Sequence, residues 1–352
     1  MLSNHRADVY GLSEAELAEV CLDAGLPAFR ARQVFEWAQG RAVTEWAEMK
    51  NIGAADRDAL AARLALKPPE PVRESAAPDG TRKFLFRLED GETIETVLMD
   101  YHKDRSRSRA TVCLSVQAGC AVGCPFCATG RMGFRRDLSA GEITGQLLAL
   151  TARMRRLDAD FHVSNAVFMG MGEPFYNMTP FLKAARLLNE ARGQNIGMRR
   201  MTVSTSGVVP GILRLAAENT QIGLAVSLHA GTDELRDKIV PLNRKYPLAA
   251  LMAACGEYVR LTGRRVTFEI ALTRENTTET QARAVAALLR GMPAHVNLIP
   301  INAVAGSTAE RPSPAKAAAF RQELARRGLT VTVREEKGGD IEAACGQLQA
   351  GF

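Results

Sequence analysis

The order of apolar and polar positions divides the chain into a helical start and an alternating strand–helix remainder. Ser13-x-x-Glu16 is a capping box, and Leu17, Val20, Cys21 and Ala24 follow it at helical spacing. Gly25-Leu26-Pro27 ends that helix. A second helix is expected near Ala28–Gln39, carrying Phe29, Val34, Phe35 and Trp37, and a third near Asp56–Leu66. Residues 1–66 therefore read as a small helical domain with an aromatic core. Arg30, Arg32 and Arg41 beside those aromatics give it a secondary reading as an RNA grip. Lys67-Pro68-Pro69-Glu70-Pro71 reads as a stiff linker, because proline fixes φ and removes a donor. Arg82–Leu88 and Thr93–Met99 predict a hairpin turning at Glu89-Asp90-Gly91-Glu92, so 67–105 form a linker with a β-hairpin extension.

From Ala110 onward, strands are expected at Thr111–Gln117, Ala166–Met169, Arg200–Thr205, Gly223–Leu228, Val266–Ala271, His295–Ile299 and Thr330–Arg334. Helix-length segments such as Ala140–Arg156, Phe181–Arg192 and Pro314–Arg327 separate them. That alternation predicts an α/β body over 106–334 with a parallel sheet, too few strands for a full eight-fold barrel, and a separate C-terminal segment at 335–352.

Composition narrows the function. Hydrophobic residues make up 46% and charged residues 24%, and no apolar run approaches the ~18 residues of a membrane span. The first residues show no apolar core of a signal peptide. Seven cysteines, odd in number and clustered, do not form a disulfide framework; they suit a reducing cytoplasm and metal or thiol chemistry. The balance of 45 Lys+Arg against 39 Asp+Glu, net +6, is mildly basic. Its arginines cluster, as at Arg105, Arg107 and Arg109, and such clusters neutralise phosphates.

The chemistry concentrates at Cys120, Cys124 and Cys127, a C-x3-C-x2-C loop directly after the first strand of the alternating region. Three thiolates are one short of a closed tetrahedral zinc site and leave one iron of a cluster open. With Cys113 the spacing becomes C-x6-C-x3-C-x2-C, which admits a structural zinc and hence a non-catalytic RNA-binding protein. Met169-Gly170-Met171-Gly172-Glu173-Pro174 ends the next strand; its glycines permit close backbone approach and Glu173 offers a carboxylate to an ammonium. Ser204, Ser227, His229 and Asn302 fall at or just beyond later strand ends, around one mouth. Cys345, flanked by glycines near Gly338-Gly339 and Gly346, is placed to react; taken alone it also reads as a buried packing cysteine, as do Cys21 and Cys255.

These motifs resemble the RlmN/Cfr class of radical S-adenosylmethionine (SAM) RNA methyltransferases, and the RlmN side of it more closely. The likeness runs from Phe29-Arg30-Ala31-Arg32-Gln33 through Asp79–Lys83, Ile94–Val97 and the cysteine loop to Ser204–Pro210, Ser227–Ala230 and Ala343-Ala344-Cys345-Gly346-Gln347-Leu348. It implies a partial (β/α)6-type barrel, a [4Fe-4S] cluster on Cys120, Cys124 and Cys127, and a SAM site lined by Gly172, Glu173, Ser204, Ser227, Leu228, His229 and Asn302. It further implies two SAM molecules per turnover, one methylating Cys345 and one yielding the radical that activates that methyl. Glu95 is then the proton acceptor, and Cys113 the thiol that resolves the RNA–protein adduct through a disulfide with Cys345. The implied product is adenosine methylated at C2 in 23S ribosomal RNA and, beside the anticodon, in transfer RNA; the Cfr-type reaction at C8 uses the same residues. A cellular electron donor and action as a monomer complete the expectation. One departure is the Met99–Arg109 loop, which is longer than the usual connection and rich in arginine.

Overall fold

The computed structural model describes residues 6–101, 109–302, 304, 306–334 and 337–349. Most of the Met99–Arg109 loop and its Arg105 and Arg107 lie outside the described residues.

The N-terminal region contains β1 (Ala7–Asp8), α1 (Glu14–Asp23), α2 (Phe29–Phe35), α3 (Ala54–Ala61) and β2 (Leu64–Ala65), with β1 and β2 paired in parallel. The expected capping box forms: Ser13 Oγ accepts from the Glu16 N–H, and Glu16 accepts from the Ser13 N–H at 2.8 Å. The third helix stops earlier than its apolar spacing suggests, because Leu64 and Ala65 pair with β1 instead. This region is sewn to the body through Tyr10, whose carbonyl accepts from Thr144 and Gln39, each at 2.7 Å, and whose hydroxyl donates to the Val43 carbonyl.

A single ten-stranded sheet follows. Its strands are β3 (Glu70–Ala76), β4 (Arg82–Arg87), β5 (Thr93–Asp100), β6 (Ala110–Cys113), β9 (Asn165–Phe168), β10 (Met201–Thr205), β11 (Gly223–Ser227), β12 (Val266–Leu272), β13 (Ala294–Pro300) and β14 (Thr330–Val333). A small antiparallel ribbon, β7 (Gln117–Gly119) with β8 (Phe134–Asp137), stands apart from it. The order is β14-β13-β12-β11-β10-β9-β6-β5-β4-β3. From β6 to β14 every pairing is parallel; β5, β4 and β3 extend the sheet antiparallel. The helices α4 (Ala128–Met132), α5 (Ala140–Arg155), α6 (Met178–Asn189), α7 (Val209–Ala217), α8 (Asp233–Ile239), α9 (Leu248–Thr262), α10 (Glu279–Leu288) and α11 (Pro314–Arg326) supply the crossovers. Their buried apolar faces and those of the strands form one continuous core.

Two expectations need correction. The segment read as a linker becomes a strand from Glu70 onward, since an edge strand tolerates a proline: Pro71 lies opposite Phe86, and the register shifts between Pro71 and Arg73. The strand expected over Thr111–Gln117 breaks after Cys113. Gln146 on α5 explains the break: its carboxamide accepts from the Ser115 N–H and donates to the Ser115 carbonyl, both at 2.9 Å. Ser115 thus satisfies its backbone on a buried side chain, and the chain turns toward the cysteine loop.

Candidate active site

The C-terminal ends of the parallel strands open into a cavity of about 1000 Å³. Cys120, Cys124, Cys127, Gly172, Glu173, Ser204, Ser227, His229, Asn302 and Cys345 all line it. Parallel strands end on the same side of a sheet, so residues distant in sequence converge there. A second cavity of about 730 Å³ adjoins it and contains Cys113 and Arg334. Cys127 and Cys345 line both. Leu228 and Glu95 line neither. The Leu228 side chain is buried, its N–H donates to the Glu269 carbonyl at 3.0 Å, and its own carbonyl accepts from Arg236. Glu95 is buried on β5, with Oε1 at 3.1 Å from Lys83 Nζ and Oε2 accepting from the Gln349 N–H at 2.9 Å.

The cysteine loop runs from β7 to α4. Gly119 has φ +76, and a Cβ there would lie 1.9 Å from the Gly133 carbonyl oxygen, which accepts from the Cys120 N–H. Only glycine permits that entry. Burial pushes the Cys120 thiol up to about 12, and the Cys127 and Glu173 charges add to the rise. Cys124 and Cys127 are raised as well, by burial first; for Cys124 the other two thiols come next. Backbone N–H groups of Thr129 and Gly130 point at Cys127, and those of Val122 and Gly123 at Cys120.

Glu173 is fully buried; burial raises its carboxyl, while N–H groups of Ser206 (2.7 Å) and Phe175 (3.1 Å) favour the anion. The Thr205 and Ser206 side chains add hydrogen bonds that favour the anion further. Burial, helped by Arg236, pushes His229 down to about 3. The imidazole is therefore neutral. Its Nδ1 accepts from the Ala271 N–H at 3.0 Å, which assigns the proton to Nε2. His229 has φ +59, held by Asn276 donating to its carbonyl at 2.8 Å.

Four contributors went unread in the sequence. Arg236 is completely buried and donates to the carbonyls of Ser206, Ser227 and Leu228, clamping the ends of β10 and β11. Glu269 lines the larger cavity and accepts from Ser204 Oγ at 3.3 Å. Arg334 Nη1 lies 3.2 Å from Cys345 Sγ, and Lys83 pairs with Glu95. The signal for Arg334 was its place at the end of a parallel strand; Lys83 had none short of the hairpin register.

The profile of the radical SAM superfamily matches residues 114–285, and that of the ribosomal RNA large subunit methyltransferase N-terminal domain matches residues 7–66. A probable dual-specificity RNA methyltransferase RlmN from Desulfitobacterium hafniense is 57% identical over 344 residues, covering 98% of this chain and 96% of that protein. This chain belongs to the RlmN family of radical SAM methyltransferases. An RlmN relative from Heliobacterium modesticaldum is 49% identical over 348 residues, covering 99% of this chain and 90% of its own. A solved radical SAM methyltransferase from Sphaerobacter thermophilus superposes with a TM-score of 0.93 at 49% identity, covering 98% of this chain and all of that one. The partial-barrel fold and enzymatic RNA methylation thus stand, with SAM and a [4Fe-4S] cluster as the RlmN cofactors.

The residues fit both groups. The Cys120, Cys124 and Cys127 thiols share one loop and one cavity, desolvation raises each of them, and added positive charge, which iron supplies, would favour their thiolates. The aimed N–H groups are donors of the kind that stabilise cluster thiolates. Glu173 and the serine, imidazole and amide groups line the adjacent space. Among the described residues no helix is long and apolar enough to cross a membrane.

Proposed function

We propose that this RlmN enzyme methylates C2 of an adenosine in 23S ribosomal RNA and in transfer RNA, with Cys345 as a covalent methyl carrier. The observation that carries this reading is the place of Cys345, on the wall shared by the SAM cavity and the cavity of Cys113. C2 of adenine is electron-poor and has no acidic proton, so direct polar methylation fails there; a thiol is an adequate methyl acceptor.

Cys120, Cys124 and Cys127 hold the cluster. Glu173 receives the SAM ammonium, with Gly172 giving backbone access and Ser204, Ser227, His229 and Asn302 completing the site; Leu228 contributes through its backbone. Bound together, cluster and SAM supply a transferable methyl group and a hydrogen-abstracting radical. Cys345 takes the methyl and presents it to the base. Glu95 accepts the ring proton, and Cys113 attacks the Cys345 sulfur: the disulfide forms as the sulfur–carbon bond to the RNA breaks, and the released carbon keeps that pair and takes up a proton to become the methyl group. Cys113 is pushed up to about 12 by burial and then by Cys345, so it rests as a thiol until called upon. The target base leaves its stack to enter. Residues 1–66 contact the RNA, where Arg41 stacks on Trp37 at 4.1 Å and Arg30 on Phe29 at 5.0 Å. The protein acts as a cytoplasmic monomer fed by a cellular electron donor.

The test is anaerobic incubation of the reconstituted protein with SAM, a reductant and unmodified 23S RNA, followed by nucleoside mass spectrometry. We expect 2-methyladenosine, abolished by Cys345→Ala. A product at C8 instead, or C2 product surviving Cys345→Ala, overturns the reading.

A further inference from the structure

Glu95 and Lys83 face the same side of the hairpin. Leu85 pairs with Glu95 and Lys83 with Val97, so Lys83 is the diagonal neighbour of Glu95 across β4 and β5. Both side chains are buried, at 6% and 1% exposure. Stability alone does not call for such a pair, since an apolar pair of similar volume does as well or better. Their partners indicate another purpose. Lys83 Nζ is 3.1 Å from Glu95 Oε1 and also donates to the Glu342 carbonyl at 3.1 Å. The other oxygen, Oε2, takes the Gln349 N–H. One lysine therefore grips both the carboxylate and the segment that bears Cys345.

We propose that Lys83 is the positioning residue of the proton acceptor: it holds and aims Glu95, and fastens the Cys345 segment to the same point, so that base and methyl carrier are set together. This rests on Glu95 as acceptor and Cys345 as carrier. Lys83 holds Oε1 throughout, while the Gln349 amide on Oε2 is the contact that the adenine edge replaces. The proton passes from the ring carbon to Oε2 and its bonding pair stays in the ring. The neutral acid leaves Lys83 a buried ammonium without a counter-charge, which favours release of the proton to water. Around Glu95, β4 presents Lys83, β6 presents the Cys113 thiol opposite Val97, the C-terminal segment presents Glu342, and β7 presents no ionisable side chain.

The experiment follows one turnover of reconstituted protein on unmodified RNA, using the parent, Glu95→Gln, Lys83→Met and Lys83→Arg. Denaturing gels read the RNA–protein adduct, mass spectrometry reads methyladenosine, and rates are taken across pH. Peptide mass at Cys345 and thermal unfolding report separately that each variant is folded and binds SAM. Lys83→Met is expected to trap adduct as Glu95→Gln does and to lower product at least about tenfold. The pH profile of its residual rate departs from the parent's, because the ammonium that contacts the carboxylate is gone. Lys83→Arg recovers product. If Lys83→Met does not fold, Lys83→Gln takes its place in the same readouts. A folded Lys83 variant that clears adduct at the parent rate with the parent pH profile overturns the inference. If Glu95→Gln also clears adduct, the reading of Glu95 falls; if only Lys83→Met clears it, the role of Lys83 alone falls.

Discussion

Gly172→Ala tests whether the backbone before Glu173 is what gives SAM its site. Gly172 has φ +100, outside the region open to other residues. A Cβ there would lie 2.5 Å from Gln117 Cβ and 2.9 Å from the Gln117 backbone nitrogen. Gln117 cannot yield freely. Its N–H donates to the Met171 carbonyl at 3.2 Å, its Oε1 accepts from the Glu173 N–H at 2.8 Å, and its Nε2 donates to Asp137 at 2.7 Å. Relief must come from the 171–173 backbone, which carries Glu173 with it. The conformational strain is about 1–3 kcal/mol and the overpacking about the same. Together they are a large fraction of the roughly 5–15 kcal/mol that holds a domain folded. A displaced Glu173 would also forfeit its proposed charge-assisted contact with the SAM ammonium, about 1.5–3 kcal/mol, or roughly ten- to over a hundredfold in SAM affinity. The assay is equilibrium dialysis of labelled SAM against reconstituted protein, alongside urea unfolding. Gly197→Ala is the control, since nothing lies within 4 Å of its built Cβ. SAM affinity within about threefold of the parent, under 1 kcal/mol, together with an unchanged midpoint, refutes the argument.

Two further predictions concern the scaffold. Arg236→Met removes a donor from the Ser206, Ser227 and Leu228 carbonyls, of which that of Leu228 keeps the Ala230 N–H at 2.7 Å, so urea unfolding should show a loss of about 1–3 kcal/mol for each acceptor left without a donor; a loss below about 1 would contradict the clamp. Burial pushes Asp8 from 3.8 up to about 6. Between those values the folded chain holds a proton that the unfolded chain releases, so this contribution to stability is present below pH 3.8 and lost as pH rises through about 6. Asp8→Asn should therefore stabilise by roughly 1–2 kcal/mol at pH 8 and by nothing near pH 4, partial exposure screening the rest; equal stabilisation at both values in denaturant titrations would count against it.

The sequence disclosed most where a local rule suffices. Ser13/Glu16 forms its box because both partners lie within one turn. The cysteine loop, Glu173, Ser204 and Ser227 line one cavity because alternating strands and helices bring strand ends to one rim. What stayed hidden depends on register or on distant side chains. Lys83 and Glu95 meet only if β4 and β5 pair with Leu85 opposite Glu95. The break at Ser115 needs Gln146 from the middle of α5. Arg334 reaches Cys345 only because the segment after β14 folds back. Leu228 shows the converse: its motif neighbours face the cavity, while its own side chain fills the core.

That returning segment is held in an unusual way. Gly338 donates to Asp79 at 3.1 Å, Lys83 to the Glu342 carbonyl and Gln349 to Glu95, so the hairpin holds it at both ends. On the opposite side Ala128 donates to the Gly346 carbonyl at 2.8 Å and Thr129 to that of Leu348, so α4, just past Cys127, holds its middle. Among its described residues the regular structure is one short turn, Gly339–Ile341, and the buried apolar side chains are Ala343, Ala344 and Leu348. Little apolar area therefore resists its displacement, and its seating depends on hydrogen bonds to groups the proposed chemistry itself uses. An element with few buried contacts opens at a cost well below that of global unfolding. In the proposed mechanism Cys345 faces the cofactor to be methylated and then Cys113 to be resolved, and a segment so held can change partners without disturbing the sheet. The same economy makes Lys83 a sensitive point, because its side chain grips Glu95 and the Cys345 segment at once.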